Sequence, residues 1–390
     1  MIRWHPADRA NVAAPAAAAS LLEQAIASRP DNAALRLKLA DLQFDRYDFA
    51  AAASALEAAL ALDPDLAGVR PRLARCYNAL RRHQEALDAL AAGESPEYER
   101  ALAFEGLGRE AEAEREYRAV LAADPHHRPA CRKLGKLLRR AGRTAELLDV
   151  CETLNALGAG HAQLLYTWGT ALALNGRDEQ ARAILLESAR VAELSLPVPE
   201  GFADIAAFNA ALAEEILTNP YRLSDFPVED EANRGSSRVH ALFAGRRPEL
   251  VRLLLNSLQE LTAAFAPPRH ASFDPWADAR PGAAHLKAWG LIQRGDDYEE
   301  WHSHPGGWLS GVYYIQVPKS VSADGAGRGC IEFGPPPALA RIMPDFIATL
   351  RRAPREGTLL LAPSHYSHRT IPTGAEEYRI SFAFDVVPDG

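Results

Sequence analysis

The first half of the chain repeats itself at intervals of 34 residues, and this period restricts the fold more than anything else in the sequence. Pro30 and Pro64 stand 34 positions apart, and so do Gly135 and Gly169. Between these markers small and apolar residues recur at helical spacing. The first unit has Leu39, Ala40, Ala52, Leu56 and Ala59, and the second has Ala74, Tyr77, Ala86 and Leu90. A third unit carries Ala101, Phe104, Ala113 and Tyr117; it ends on Asp124-Pro125, as the first ends on Asp63-Pro64. A fourth opens near Arg128 with Leu134-Gly135, and a fifth near Ala162 with Trp168-Gly169, Leu172, Ala181 and Leu185. Small residues let paired helices approach closely, and each proline stops a helix before the next unit starts. One such pair cannot bury its apolar face alone, so the units must stack.

This pattern resembles the tetratricopeptide repeat family over about residues 30–192, although the second unit is several residues short. The resemblance implies a solenoid of about five helical hairpins whose groove binds a peptide or protein. The plainer alternative is that the repeats only scaffold the chain or join it into a homo-oligomer. Residues 1–29 read as an N-terminal segment and a first helix. Ser195-Leu196-Pro197-Val198-Pro199 ends the repeats and opens a stretch of linker and supporting helices over residues 193–280. There, 202–218 and 248–265 read as amphipathic helices, separated by a polar loop from Val228 to Ser237.

After Pro267-Pro268 alternation replaces the helical period. Strands are expected at about 285–294, 309–317, 329–333, 357–362 and 378–386, with one helix interrupting them at about 338–352. The fold class is therefore multidomain α + β: an α-helical solenoid, then a jelly-roll or cupin-like barrel over residues 281–390.

Composition removes several function classes. The formal charge is −8, from 43 basic against 51 acidic residues, so the chain has no general attraction to a phosphate backbone and nucleic acid is not expected as a partner. No run approaches the ~18 unbroken apolar residues of a membrane span. The four cysteines (Cys76, Cys131, Cys151, Cys330) form no CxxC pair, which argues against a structural zinc site and for a reducing compartment. The N-terminus lacks the apolar run of a secretion signal, and the cytoplasm is the expected location.

The chemistry lies in the last ninety or so residues. Trp301-His302-Ser303-His304-Pro305 runs into the apolar strand Leu309-Ser310-Gly311-Val312-Tyr313-Tyr314-Ile315. Far downstream come His368 and then Arg379-Ile380-Ser381 at the head of another strand. Metal-type ligands from two distant strands, followed by a cation, suit a non-haem iron site. Such a site needs ligands on one side, open positions on the other, and a fixed cation for an acidic co-substrate. Arginine offers a planar two-point match to a carboxylate.

From about residue 202 to the end the chain resembles the 2-oxoglutarate/Fe(II) oxygenases, in particular a bacterial and phage group with an His-x-His-Pro…Ser-Gly-Val-Tyr-Tyr signature. His302-Ser303-His304-Pro305 and Ser310-Gly311-Val312-Tyr313-Tyr314 carry the first part of the match. Gly357-Thr358-Leu359-Leu360-Leu361-Ala362-Pro363-Ser364 with His368, then Arg379-Ile380-Ser381, carry the second. The resemblance implies Fe(II), 2-oxoglutarate and O2 as the cofactor set. It implies His302 and His368 as iron ligands and Arg379 with Ser381 on the distal carboxylate of 2-oxoglutarate. Most of the superfamily has His-x-Asp, whereas this chain has His304 in place of the carboxylate. His304 is then either a third ligand or a supporting residue behind a two-histidine site. A halogenase would need a small residue there, and histidine fills the space.

Either Tyr313 or Tyr314 can add a hydroxyl to the co-substrate pocket, but not both, because strand neighbours alternate sides. The reading favours Tyr313, with Trp289 and Gln293 as pocket walls; the alternative is that both tyrosines are core aromatics. A three-histidine zinc hydrolase would not need Arg379 and Ser381. No glycine-x-serine-x-glycine elbow surrounds Ser364, which argues against a serine hydrolase. The reading that follows is a 2-oxoglutarate- and Fe(II)-dependent hydroxylase acting on a peptide or protein recruited by the repeats. Two alternatives remain: a small-molecule hydroxylase that uses the repeats for assembly, and a non-catalytic adaptor.

Overall fold

The computed structural model describes residues 1–4, 15–91, 97–224, 232–269, 273–322 and 327–389. The helices are α1 (Pro15–Ser28), α2 (Ala33–Asp45), α3 (Phe49–Leu62), α4 (Val69–Ala79), α5 (His83–Ala91), α6 (Glu97–Gly106) and α7 (Glu110–Ala123). They continue as α8 (Arg128–Arg140), α9 (Thr144–Ala156), α10 (Ala162–Leu174), α11 (Asp178–Leu185), α12 (Ile205–Leu217) and α13 (Pro248–Ala264). The chain forms two compact units, Asn11–Gly142 and Met1–Ala10 with Arg143–Gly390. The helices α9 to α11, which the repeat pattern groups with the solenoid, belong to the second unit, together with the sheet.

Local chemistry explains where the helices start and stop. The side chains of Asn32, Asp48 and His127 accept hydrogen bonds from the backbone N–H groups of Leu35, Ala51 and Ala130, which would otherwise be unpaired. In each hairpin one residue just before the second helix takes a left-handed backbone. It is Gly108 (φ 74°), Gly142 (71°) and Gly176 (73°) in the later hairpins, and Tyr47 (61°) and Arg81 (59°) in the first two. The helical unit packs on alanine: Ala40, Ala52, Ala53, Ala74, Ala86 and Ala103 join Leu56, Val69 and Leu73 in one buried cluster. In the second unit Gly169 shows why small residues mark the repeat. A Cβ there would lie 2.6 Å from the side chain of Leu185.

The strands are β1 (Ile2–Trp4), β2 (Ala192–Ser195), β3 (Arg222–Leu223), β4 (Asn233–Arg234), β5 (Ser237–Val239), β6 (Ala284–Gln293) and β7 (Tyr298–Glu299). They continue as β8 (Leu309–Gln316), β9 (Ile331–Gly334), β10 (Leu350–Arg352), β11 (Thr358–Pro363), β12 (Ser367–Thr370) and β13 (Arg379–Pro388). The main sheet runs β2-β11-β8-β13-β6-β5-β3, with β1 added parallel to β6. A second sheet runs β10-β9-β12. Tyr314, Leu360 and Ala362 of the main sheet pack with Ile331 and Phe333 of the second. This is the double-layered β arrangement of the jelly-roll class. The opposite face of the main sheet is covered by α12, where Ile216 lies against Gly290 of β6.

Two expectations change. The helix expected at 338–352 is a single turn, Pro337–Ala340, and residues 350–352 form β10 instead. Pro344 lacks the N–H that a continuous helix would need at that point. Of the polar loop at 228–237, residues 228–231 lie outside the described residues, and the rest holds β4 and the start of β5. The expected helices 202–218 and 248–265 correspond to α12 and α13.

Candidate metal centre

The candidate site starts with a backbone pairing. His302 and His368 form an isolated antiparallel bridge, each backbone N–H donating to the other's carbonyl at 2.9 Å. Two sequence-distant histidines are thereby placed side by side, with ring centroids 4.3 Å apart. His304 lies two positions beyond His302, and its N–H donates to the Ser364 carbonyl at 2.8 Å. One ring nitrogen from each of His302, His304 and His368 falls within 4.8 Å of the others. His304 is therefore part of the cluster, on equal terms with the other two.

The second ring nitrogens determine which atoms face inward. Nδ1 of His302 is 2.6 Å from the Glu300 carbonyl, and Nδ1 of His368 is 3.0 Å from the Tyr366 carbonyl. Nδ1 of His304 is 2.7 Å from Oδ1 of Asp385. A carbonyl can only accept, so Nδ1 of His302 and His368 must carry the proton, and their Nε2 lone pairs are left for a ligand. Burial pushes His302 down to about 3 and holds His368 well below the ordinary imidazole value, with neighbouring histidines adding to both shifts. Burial also opposes charging His304, but the Asp385 carboxylate outweighs it and the net shift is upward.

Strand alternation sets the rest of the site. In β13, Arg379, Ser381 and Asp385 are buried, and their register partners on β6 are Gln293, Leu291 and Lys287. Trp289, opposite Ala383 in that register, stacks on the His304 ring at 5.8 Å and 19°. Arg379 donates from Nη1 to the Gly329 carbonyl at 2.6 Å and from Nη2 to Oε1 of Gln293. Its Nε has no hydrogen-bond partner, and among the described residues no carboxylate forms an ion pair with it. Burial lowers its pKa from the ordinary guanidinium value. A buried cation without a counter-charge costs several kcal/mol, on the order of the effective penalty per ion, unless an anion joins it.

The sequence reading erred at Tyr313. Its hydroxyl donates to Oδ1 of Asn209 on α12 at 2.7 Å, so it faces away from the histidines. Tyr314, opposite Ser381, points the other way into the cluster between the sheets. Burial pushes its phenol up to about 12, with Arg379 acting in the opposite direction. His365 also turns away, with Nε2 2.8 Å from the Ile184 carbonyl. Ser364 is buried, 2.7 Å from the Ser310 hydroxyl, rather than exposed as a nucleophile.

Sequence reasoning missed Asp385. It accepts from His304 and, at 2.6 Å, from the Ser310 hydroxyl. The available signal was a lone acidic residue between Phe384 and Val386 at an even offset from Arg379 in one strand. Gly311 of the signature and the nearby Gly307 also find a physical reason. A Cβ at Gly311 would lie 2.3 Å from the Phe384 ring, and one at Gly307 would lie 2.5 Å from the Ser364 hydroxyl.

Residues 287–385 match the family model described as "Putative 2OG-Fe(II) oxygenase". That family implies Fe(II), 2-oxoglutarate and O2, and three convergent imidazoles together with a buried arginine that has no ion pair among the described residues suit such a set. No curated protein matches the sequence. Among solved structures the chain is similar to YrrB, described as a TPR protein with an unusual peptide-binding site (22% identity, 42% of this chain and 88% of that one, TM-score 0.33). It is also similar to SnoN, a non-heme alpha ketoglutarate dependent epimerase from nogalamycin biosynthesis (16% identity, 55% and 83%, TM-score 0.35). A third is a Pseudomonas putida prolyl-4-hydroxylase (13% identity, 58% and 100%, TM-score 0.31). Residues 287–385 thus match the model of a 2-oxoglutarate/Fe(II) oxygenase domain, and stacked helical hairpins precede it in the chain.

Proposed function

We propose that the chain hydroxylates a C–H bond on a peptide or protein segment recruited by its helical repeats. The observation that carries the oxygenase half is three imidazole nitrogens that converge in one cluster, in a domain that also buries an arginine without an ion pair among the described residues. In this reading His302, His304 and His368 hold Fe(II) through Nε2. Arg379 takes the distal carboxylate of 2-oxoglutarate, Ser381 adds a hydroxyl beside it, and Tyr314 replaces Tyr313 as the phenol of that pocket. When bound, iron with 2-oxoglutarate and O2 supplies the oxidant that converts C–H to C–OH, releasing succinate and CO2. The protein's own contribution is a fixed ligand geometry, with Tyr314, Phe333 and Tyr366 packed in one buried apolar cluster between the sheets.

The recruitment half rests on a groove of about 730 Å³ within the helical unit. Tyr98, Phe49 and His127 line it, with Arg75 and Arg132 beside them. Its carboxylates are already engaged: Glu105 with Lys133 at 3.0 Å and Glu99 with Asn78 at 3.2 Å. Neither Arg75 nor Arg132 has an ion pair among the described residues, so the groove suits an acidic segment with aromatic or apolar side chains. All four cysteines are buried free thiols, which fits a cytoplasmic setting within this reading. Among the described residues no helix is long and apolar enough to cross a membrane.

The test is anaerobic addition of Fe(II) and 2-oxoglutarate to the metal-free protein, watching for the visible charge-transfer band. The band should appear in the wild type and vanish in H302A and H368A. No band and no binding of either component would remove the oxygenase reading for this chain and leave the adaptor. R75E/R132E, made in the full chain, separates the substrate classes. Turnover of an acidic peptide should fall at unchanged turnover of 2-oxoglutarate alone, whereas a small-molecule substrate would be hydroxylated equally by both proteins.

A further inference from the structure

We propose that Asp385 is the carboxylate this metal centre lacks in its inner ring, placed one residue further out and acting through His304. The inference rests on the reading that iron sits on the three Nε2 atoms. In the more common ligand set one carboxylate binds the metal directly; here the equivalent position is His304, and three neutral imidazoles alone would bring no negative charge.

The three histidines are not supported alike. His302 and His368 each have a neutral backbone carbonyl behind Nδ1, from Glu300 and Tyr366. His304 alone has an anion there, Oδ1 of Asp385 at 2.7 Å. Asp385 is buried and is itself held: the Ser310 hydroxyl reaches Oδ1 at 2.6 Å, and the Ser364 hydroxyl meets that of Ser310 at 2.7 Å. The backbone leaves room for this chain of contacts, since a Cβ at Gly307 would lie 2.5 Å from the Ser364 hydroxyl and 3.1 Å from the Asp385 Cβ. Trp289 stacks on the His304 ring at 5.8 Å and 19°.

A carboxylate hydrogen-bonded to a ligand imidazole does two things. It selects the Nδ1–H tautomer, leaving Nε2 as the donor atom, and it makes that nitrogen a stronger donor. The negative charge also stays within the buried site, where screening by water is weak. Asp385 is thus a positioning residue: it touches neither metal nor substrate and acts on the metal through one ring.

The test uses the full chain, with anaerobic Fe(II) and, as a second probe, Co(II). D385N should weaken metal binding by about 10–100-fold, the usual effect of losing such a partner, and D385E should recover part of it. H304D should bind metal worse than the double variant H304D/D385N, because the new carboxylate would face Asp385 across a small buried space. If the wild type binds neither metal, the iron reading itself fails. If the wild type binds and D385N binds equally well, or if the effects of H304D and D385N simply add, this inference alone is overturned. Should D385N fail to fold, ¹⁵N NMR of the zinc-loaded wild type decides the point. A His304 protonated at Nδ1 and metal-bound at Nε2 supports the proposal, and the reverse arrangement overturns it.

Discussion

The two units handle polar chemistry in opposite ways. In the helical unit, Glu116 is the one buried polar side chain among the described residues, and it is paired with Arg100 at 2.6 Å. The core there is alanine and leucine, and the charges sit outside in pairs such as Arg72–Asp41. In the unit that carries the sheet, Arg190, Asp274, Glu299, Glu332, Arg379 and Asp385 are all buried. Buried charge opposes folding unless it is matched. The helical unit therefore reads as architecture with a groove, and the sheet unit as a scaffold built around groups it would be more stable without. Where a buried charge is matched, the pair is structural; where it is not, the unmatched partner points to a ligand.

Two buried arginines sharpen that distinction. Arg190 lies 2.8 Å from Asp274, with side-chain exposures of 1% and 2%, and its guanidinium sits 5.2 Å from the Trp276 ring. Removing one member leaves the other buried and uncompensated, so D274N should destabilise the sheet unit by about 3–5 kcal/mol. Denaturant unfolding of wild type and variant measures this directly. Arg379 should behave in the reverse sense. R379Q should lower 2-oxoglutarate affinity by about 10–100-fold, in line with the roughly 1.5–3 kcal/mol of a hydrogen bond to a charged group. The ligand-free protein should be no less stable, because an unmatched cation has been removed from the interior. A marked loss of ligand-free stability in R379Q would mean that Arg379 is structural, and the comparison between matched and unmatched charges would fail.

Legibility in the sequence followed the range of the interactions. Helix pairs and the longer strands left periodic traces because apolar faces recur every few residues, so α12, α13, β6, β8, β9, β11 and β13 were visible, whereas short strands such as β10 and β12 were not. The 34-residue period was visible through Gly135 and Gly169, and at Gly169 a Cβ would lie 2.6 Å from the Leu185 side chain, so close helix approach demands a small residue there. His302, His304 and His368 were legible as candidates, but their meeting depends on a bridge between residues 66 positions apart, which no local pattern encodes. Asp385 was hidden because a single acidic residue in a strand looks the same whether it faces solvent or a histidine. Tyr313 and Tyr314 were both visible, but their order depends on which face α12 covers. That is a tertiary fact, and it reverses with a shift of one residue.

The smallest effect tests the architectural side of the comparison, and it turns on sign. Tyr47, Arg81, Gly108 and Gly142 hold the same place in successive hairpins, each with a left-handed backbone. A side chain in that conformation costs about 1–2 kcal/mol, while glycine restores some of that as extra freedom in the unfolded chain. R81G should therefore stabilise the helical unit by a few tenths to about 1 kcal/mol, even though it removes a side chain, and G142A should destabilise it by a similar amount. Neither glycine has a neighbour within 4 Å of a Cβ added at Gly108 or Gly142, so crowding does not contribute to the second effect. Urea midpoints of the two variants, read from the helical transition, give the answer. Opposite signs would show that backbone conformation governs these turns. If R81G also destabilised, the Arg81 side chain would be contributing a contact, and the helical unit would share more with the sheet unit than its exposed charges suggest.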